Sequence, residues 1–159
     1  TDSDQYRCAI EIIRDEMING SSIAVIYRNN YQGELLRKFI RESEKADGFD
    51  TIEFITIHGA KGLEYDTVII LGIEDGILPS DLSDIEEERR LFYVAITRAK
   101  KNLHLMYYSN GKKTARFARE TFLSTGWTAR RYFAETRALL AGIKTSSKKF
   151  IHDRNRSGY

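Results

Sequence analysis

The 159-residue chain has one cysteine, one proline and one tryptophan. A single cysteine, Cys8, cannot close an internal disulfide. That removes the disulfide-stapled secreted classes and makes the cytoplasm the expected compartment. No apolar run approaches the ~20 residues that a membrane-crossing helix needs. No signal peptide opens the chain, and no membrane partner is expected. Three scattered histidines and one cysteine form no metal-ligand cluster, so no resident metal is expected. No Ser–His–Asp signature is present. The phosphate loop G-x-x-x-x-G-K-[ST] is also missing. Gly111-Lys112-Lys113 lacks the upstream glycine and the hydroxyl residue, and Gly59-Ala60-Lys61-Gly62 has the wrong spacing. Alone, this chain lacks the loop that cradles a nucleotide's phosphates.

What is present is enough for one domain with a real core. The net charge of +2 conceals a strong asymmetry. Residues 1–111 carry 13 Lys/Arg against 20 Asp/Glu, and residues 112–159 carry 12 against 3. A basic C-terminal third points to a polyanionic partner or to a solvated tail.

Helical spacing runs from Arg7 to Met17 and stops at Asn19-Gly20. Ser22 to Tyr27 reads as a buried strand, Gly33 to Arg41 as a helix, Ala46 to Asp50 as a polar turn and Thr51 to Ile57 as a strand. Gly59 to Gly62 breaks that strand. Thr67 to Ile73 is a continuous apolar strand, and Asp75-Gly76 and Pro79-Ser80 mark a loop. A helix rich in arginine and a strand at Leu103 to Tyr108 follow. Further helices are expected at Arg116 to Phe122 and Ala129 to Ala141, then a Lys/Ser-rich run, Lys144 to Lys149. Alternation of helices with wholly apolar strands argues for a parallel sheet covered on both faces. Ligands of such sheets gather at the carboxyl ends of strands, and Tyr27, Arg28, His58 and Lys61 all follow expected strands.

The most informative segment is Asp84 to Leu105. Ser83 and Glu86 fit an S-x-x-E capping box, and Ile85, Leu91, Phe92, Ala95 and Ala99 recur at helical spacing. Arg98 lies at the edge of that face. A cation so near a core is expected to have an anionic partner, since burying it alone is costly. The planar guanidinium suits phosphate. An exposed helix with Glu–Arg pairs is the alternative these residues leave open.

EEERRLFYVAITRAKKNLHL resembles the sixth motif of the UvrD/Rep/PcrA branch of superfamily 1 helicases. TIHGAKGLEYDTVII, Thr56 to Ile70, resembles the fifth, and AVIYRNNYQGELL, Ala24 to Leu36, the fourth. The three occur in family order across roughly residues 20 to 108. The resemblance implies an α/β, RecA-like three-layer domain with a mainly parallel sheet and no phosphate loop. It would be the second such domain of an ATP-dependent 3′→5′ DNA helicase, spanning residues 1–125. Residues 126–159 would be a basic extension, helical and then flexible.

The same resemblance implies roles residue by residue. Arg98 matches an arginine finger and Arg28 a second γ-phosphate contact. Tyr27 matches the aromatic residue that packs on adenine, Glu64 the carboxylate that accepts from ribose, and Gly62 a close backbone approach to the nucleotide. Thr56 and His58 match residues facing single-stranded DNA, and Lys61 is placed with them. The implied cofactors are ATP and Mg²⁺, with Mg²⁺ held by a first RecA-like domain of the same polypeptide. Val68 to Gly76 imitates a metal-binding strand end, but it matches the stretch after the fifth motif, so Glu74 and Asp75 are expected in a loop. Arg89 and Arg90 are expected to pair with Glu86 to Glu88 or with neighbouring strands. One departure stands out. Only 29 residues separate Arg28 from His58, too few for the subdomain that UvrD, Rep and PcrA insert there. A non-catalytic docking module in a DNA-repair assembly, or the helicase half of a helicase–nuclease, are the alternatives.

Overall fold

The computed structural model of the chain describes residues 2–43, 48–107 and 130–133. The order is α1 (Asp2–Ile18), β1 (Ile23–Tyr27), α2 (Asn30–Glu42), a 3-10 turn (Phe49–Thr51), β2 (Glu53–Thr56), β3 (Tyr65–Ile70), α3 (Ile85–Ile96), β4 (Ala99–Tyr107) and β5 (Arg130–Phe133). The strands form one sheet in the order β2-β1-β3-β4-β5, and every neighbouring pair is parallel.

The apolar runs of β1 and β3 are explained by burial on both faces. Ile23, Val25, Ile69, Leu71 and Met106 pack beneath α1 and α2 against Ile13, Leu36 and Ile40. Ala24, Ile26, Val68, Ile70, Leu103 and Leu105 pack beneath α3 against Phe92, Ala95 and Ile96. Three layers result, as expected of the fold.

The element boundaries differ from the sequence reading for local reasons. Helix α2 begins before Gly33 because the Gln32 side-chain oxygen accepts the Asn29 N–H at 2.9 Å. Helix α3 is capped by Asp84, whose carboxylate accepts the Glu87 N–H, and not by Ser83. Its buried side is Glu88, Phe92, Ala95 and Ile96; Ile85 is 46 % exposed, and Ala99 already belongs to β4. The segment Arg130–Phe133 is a strand on the free side of β4, where a helix was expected. The available edge overrides helical spacing there. The expected helix at 116–122, the boundary at 125, residues 46 and 47 of the expected turn and the Lys/Ser run lie outside the described residues.

Two polar features hold the layers together. Glu16 of α1, 7 % exposed, accepts hydrogen bonds from Thr67 of β3 at 2.9 Å, Ser21 at 3.1 Å and Asn102 of β4 at 3.3 Å. The His104 imidazole lies 3.9 Å away. At the sheet edge, Arg37 of α2 lies over the Phe54 ring, 4.7 Å from its centroid, and donates to the Phe54 carbonyl of β2 at 3.5 Å. No helix among the described residues is long and apolar enough to cross a membrane.

Candidate functional site

The connection from β2 to β3, residues 57–64, crosses the sheet from one end to the other. At its start the Ile57 N–H donates to the Tyr27 carbonyl at 2.9 Å. At its finish the Tyr65 N–H donates to the Arg98 carbonyl, also at 2.9 Å. Parallel strands share a direction, so the first contact lies at the carboxyl ends of β1 and β2 and the second at the amino ends of β3 and β4. The six residues of β3 separate those ends by roughly 20 Å.

Ile57 and Ala60 are fully buried in the core beneath α3 and act as the feet of the connection. His58, Lys61, Gly62 and Glu64 stand exposed between or beyond them. The turn is closed by the Thr56 carbonyl, which accepts from Ala60 at 2.9 Å, and by the Thr56 hydroxyl oxygen, which accepts from Gly59 at 3.1 Å. The Thr56 hydroxyl proton stays available to an acceptor. Gly62 has φ +85°, a left-handed conformation that a side chain disfavours.

Arg98 sits at the amino end, just beyond α3. Its Nε donates to the Val94 carbonyl at 3.0 Å, Nη1 to the Leu63 carbonyl at 3.1 Å and Nη2 to the Thr97 hydroxyl at 3.0 Å. The expected anionic partner is replaced by neutral acceptors, and no carboxylate pairs with Arg98 among the described residues. A guanidinium has five N–H groups, so the side chain is fixed in position yet keeps donors and its full charge. Neighbouring cations differ: Lys100 and Lys101 lie 3.6 and 3.1 Å from Asp66. The Ser22 N–H, Lys101 and the Ser22 hydroxyl hold that carboxyl well below the usual range.

Arg28 has a different environment. Its Nε and Nη2 both bind Glu88 of α3, at 3.1 and 3.0 Å, and Nη2 also donates to the Ser83 hydroxyl at 3.4 Å. Glu88 is fully buried, and its second oxygen accepts the Ser80 N–H at 3.1 Å. Glu88 is thus taken by Arg28, whereas Arg89 pairs with Glu86 at 3.6 Å on the surface, within the expected set of Glu86 to Glu88. Arg28 follows β1 and Arg98 precedes β4, so the two occupy opposite ends of the sheet. The expected convergence of both on one γ-phosphate is not found in this structure. Tyr27 also departs from expectation. It is 6 % exposed, and its ring packs against Gly33 of α2. Burial, the largest influence, raises its hydroxyl pKa. A ring so covered offers no open face to adenine.

The structure thus assembles two groups: Thr56, His58 and Arg28 at the carboxyl end, and Glu64 and Arg98 at the amino end. Residues 35–110 match the UvrD-like helicase C-terminal domain family. That segment holds β2, β3, α3 and β4. The Bacillus subtilis ATP-dependent DNA helicase PcrA is 42 % identical over 84 residues, 50 % of this chain and 11 % of that protein. The Escherichia coli ATP-dependent DNA helicase Rep is 43 % identical over 72 residues, 43 % of this chain and 11 % of the relative. DNA helicase II of the same organism is 48 % identical over 63 residues, 36 % of this chain and 9 % of the relative. The chain thus spans about a tenth of the length of these relatives. The C-terminal domain of a possible DNA helicase from Lactobacillus plantarum shares the fold, with TM-score 0.58 and 18 % identity, over 82 % of this chain and 78 % of that one.

Glu88 and the Leu63 carbonyl are site elements that the sequence reading does not anticipate. Glu88 was findable: it precedes Phe92 by four positions and Ala95 by seven, which puts it on the helix face that is buried.

Proposed function

We propose that this domain is the nucleotide-closing half of an ATP-dependent DNA helicase or translocase, working with a first RecA-like domain that carries the phosphate loop and the Mg²⁺ ligands. The observation that carries the reading is the eight-residue connection 57–64. It is hydrogen-bonded to the Tyr27 end of the sheet at its start and, through the Leu63 carbonyl, to Arg98 at its finish. One short segment therefore borders both residue groups.

Arg98 is the proposed arginine finger. It is immobilised by three neutral acceptors, and its charge is not cancelled by a carboxylate, as a group that meets developing phosphate charge requires. Glu64, exposed beside it, has acceptors suited to ribose hydroxyls, and Gly62 has no side chain to obstruct a ligand. ATP, when bound, supplies the phosphoryl group whose transfer these residues assist. At the carboxyl end, Thr56, His58 and Lys61 are proposed to hold single-stranded DNA through its phosphates, which carry no sequence information. Arg28 joins that group in this reading, in place of the γ-phosphate role. The 3′→5′ direction of movement rests on the family resemblance.

The test is Arg98 in the full-length protein. Arg98→Ala is expected to reduce kcat by roughly 10³-fold or more while ATP affinity changes far less. Arg98→Lys is expected not to rescue, because an ammonium cannot reproduce three fixed donors. Near-normal turnover with lysine would make Arg98 a structural cation and remove the basis of the proposal.

A further inference from the structure

Glu88 is a wholly buried carboxylate that takes three segments at once: Arg28 beyond β1, Ser80 in the loop before α3, and its own helix. Only one edge of the guanidinium is used. Nε and Nη2 face Glu88 and Ser83, whereas no described residue takes Nη1, and 18 % of the Arg28 side chain stays exposed. The Tyr27 carbonyl, one residue away, receives the Ile57 N–H, so the free edge of Arg28 lies at the end of the sheet where His58 stands. A bidentate carboxylate fixes the plane and direction of a guanidinium. It also cancels most of its charge, so what the free edge can offer a ligand is directed N–H donors and little net attraction.

We propose that Glu88 is a positioning residue that aims the outer N–H groups of Arg28 at a backbone phosphate of single-stranded DNA. This rests on the strand-facing reading of the carboxyl end given above. The arrangement ties that contact to α3, and α3 leads directly to Arg98. A phosphate contact made at Arg28 would therefore bear on the helix that ends at the proposed finger.

The proposal makes a prediction opposite in sign to simple electrostatics. Glu88→Gln removes a negative charge from the DNA-facing end and, on charge alone, should tighten binding. If Glu88 positions Arg28, the variant binds more weakly. The experiment is fluorescence-anisotropy titration of a labelled oligo-dT by the full-length protein over a range of salt concentrations. Glu88→Gln and Arg28→Ala are each expected to weaken binding by roughly three- to tenfold. Because Glu88 already offsets most of the Arg28 charge, Arg28→Ala should reduce the slope of log K against log salt by less than the about 0.7 of one unpaired phosphate contact. In the Arg28→Ala background, Glu88→Gln should add nothing. Glu88→Asp keeps the charge and shortens the reach; it guards against a folding failure and should weaken binding less, again only when Arg28 is present. Tighter or unchanged binding by a folded Glu88→Gln protein, or a loss that persists without Arg28, overturns the positioning role while leaving the DNA reading intact. An Arg28→Ala protein with unaltered affinity and salt slope overturns the reading of Arg28 itself, and the positioning role with it.

Discussion

Removing the charge of Glu16 should destabilise the chain at neutral pH and have little effect in strong acid. The His104 imidazole, 3.9 Å away, is the largest influence lowering the pKa of this carboxylate. Together with the hydrogen bonds from Thr67 and Ser21, it lowers the Glu16 pKa from an ordinary 4.5 to about 2, against the opposing effect of burial. The folded-state value lies below the unfolded one. The stabilisation is therefore complete above about pH 4.5 and is lost as pH falls towards 2. That gap in pKa corresponds to roughly 3 kcal/mol, closing at about 1.4 kcal/mol per pH unit within the window. Glu16→Gln preserves size and an acceptor for Thr67 while removing the charge. Urea unfolding of both proteins from pH 7 down to pH 3 gives the difference directly, and other carboxylates cancel in the comparison. The two stabilities should differ by roughly 3 kcal/mol at pH 7, and about 2 kcal/mol of that should be gone by pH 3. Curves that run parallel over the whole range would show that Glu16 is not a charged anchor of α1 on the sheet.

Three further outcomes are expected. In the full-length protein, His58→Ala should leave basal ATPase nearly intact and lower the plateau of its stimulation by oligonucleotide more than it moves the midpoint, since one neutral contact is worth only about 0.5–1.5 kcal/mol; an unchanged titration would place His58 away from the strand. Cys8 is 3 % exposed, and burial pushes its thiol up to about 12, with a smaller contribution from Glu11. It should resist a disulfide reagent at pH 8 in the native chain and react once urea unfolds it, and fast native labelling would contradict the burial of α1. Gly33→Ala places a methyl against the Tyr27 ring and should cost about 1–3 kcal/mol in thermal stability; an unaltered melting temperature would mean that the ring is free to move.

Much of the fold was readable because buried parallel strands announce themselves. Ile23 to Tyr27 and Val68 to Ile70 are apolar on both faces, and between them they define the centre of the sheet. The motif resemblance singled out Arg98 and residues within the connection at 57–64. Their spatial relation was harder to read. Starting the last motif strand at Leu103 hid the fact that Arg98 immediately precedes β4, whereas Arg28 follows β1. In a parallel sheet that difference alone sends two residues to opposite ends. The three consecutive glutamates concealed Glu88, since composition cannot tell a solvated acid from a buried one; helical phase could have done so. The strand at Arg130–Phe133 was missed because pairing with β4 depends on an edge that local spacing does not reveal.

The position of Arg37 bears on the solubility of the chain. Strand β2 ends the sheet, and an end strand exposes backbone groups that invite another copy to add on, the usual first step towards aggregation. Arg37 both lies on the Phe54 ring and occupies that residue's carbonyl. It places a permanent charge where an incoming strand would have to lie. Any strand adding there would have to displace and desolvate that guanidinium, so the edge that is open in topology is guarded by one side chain of α2.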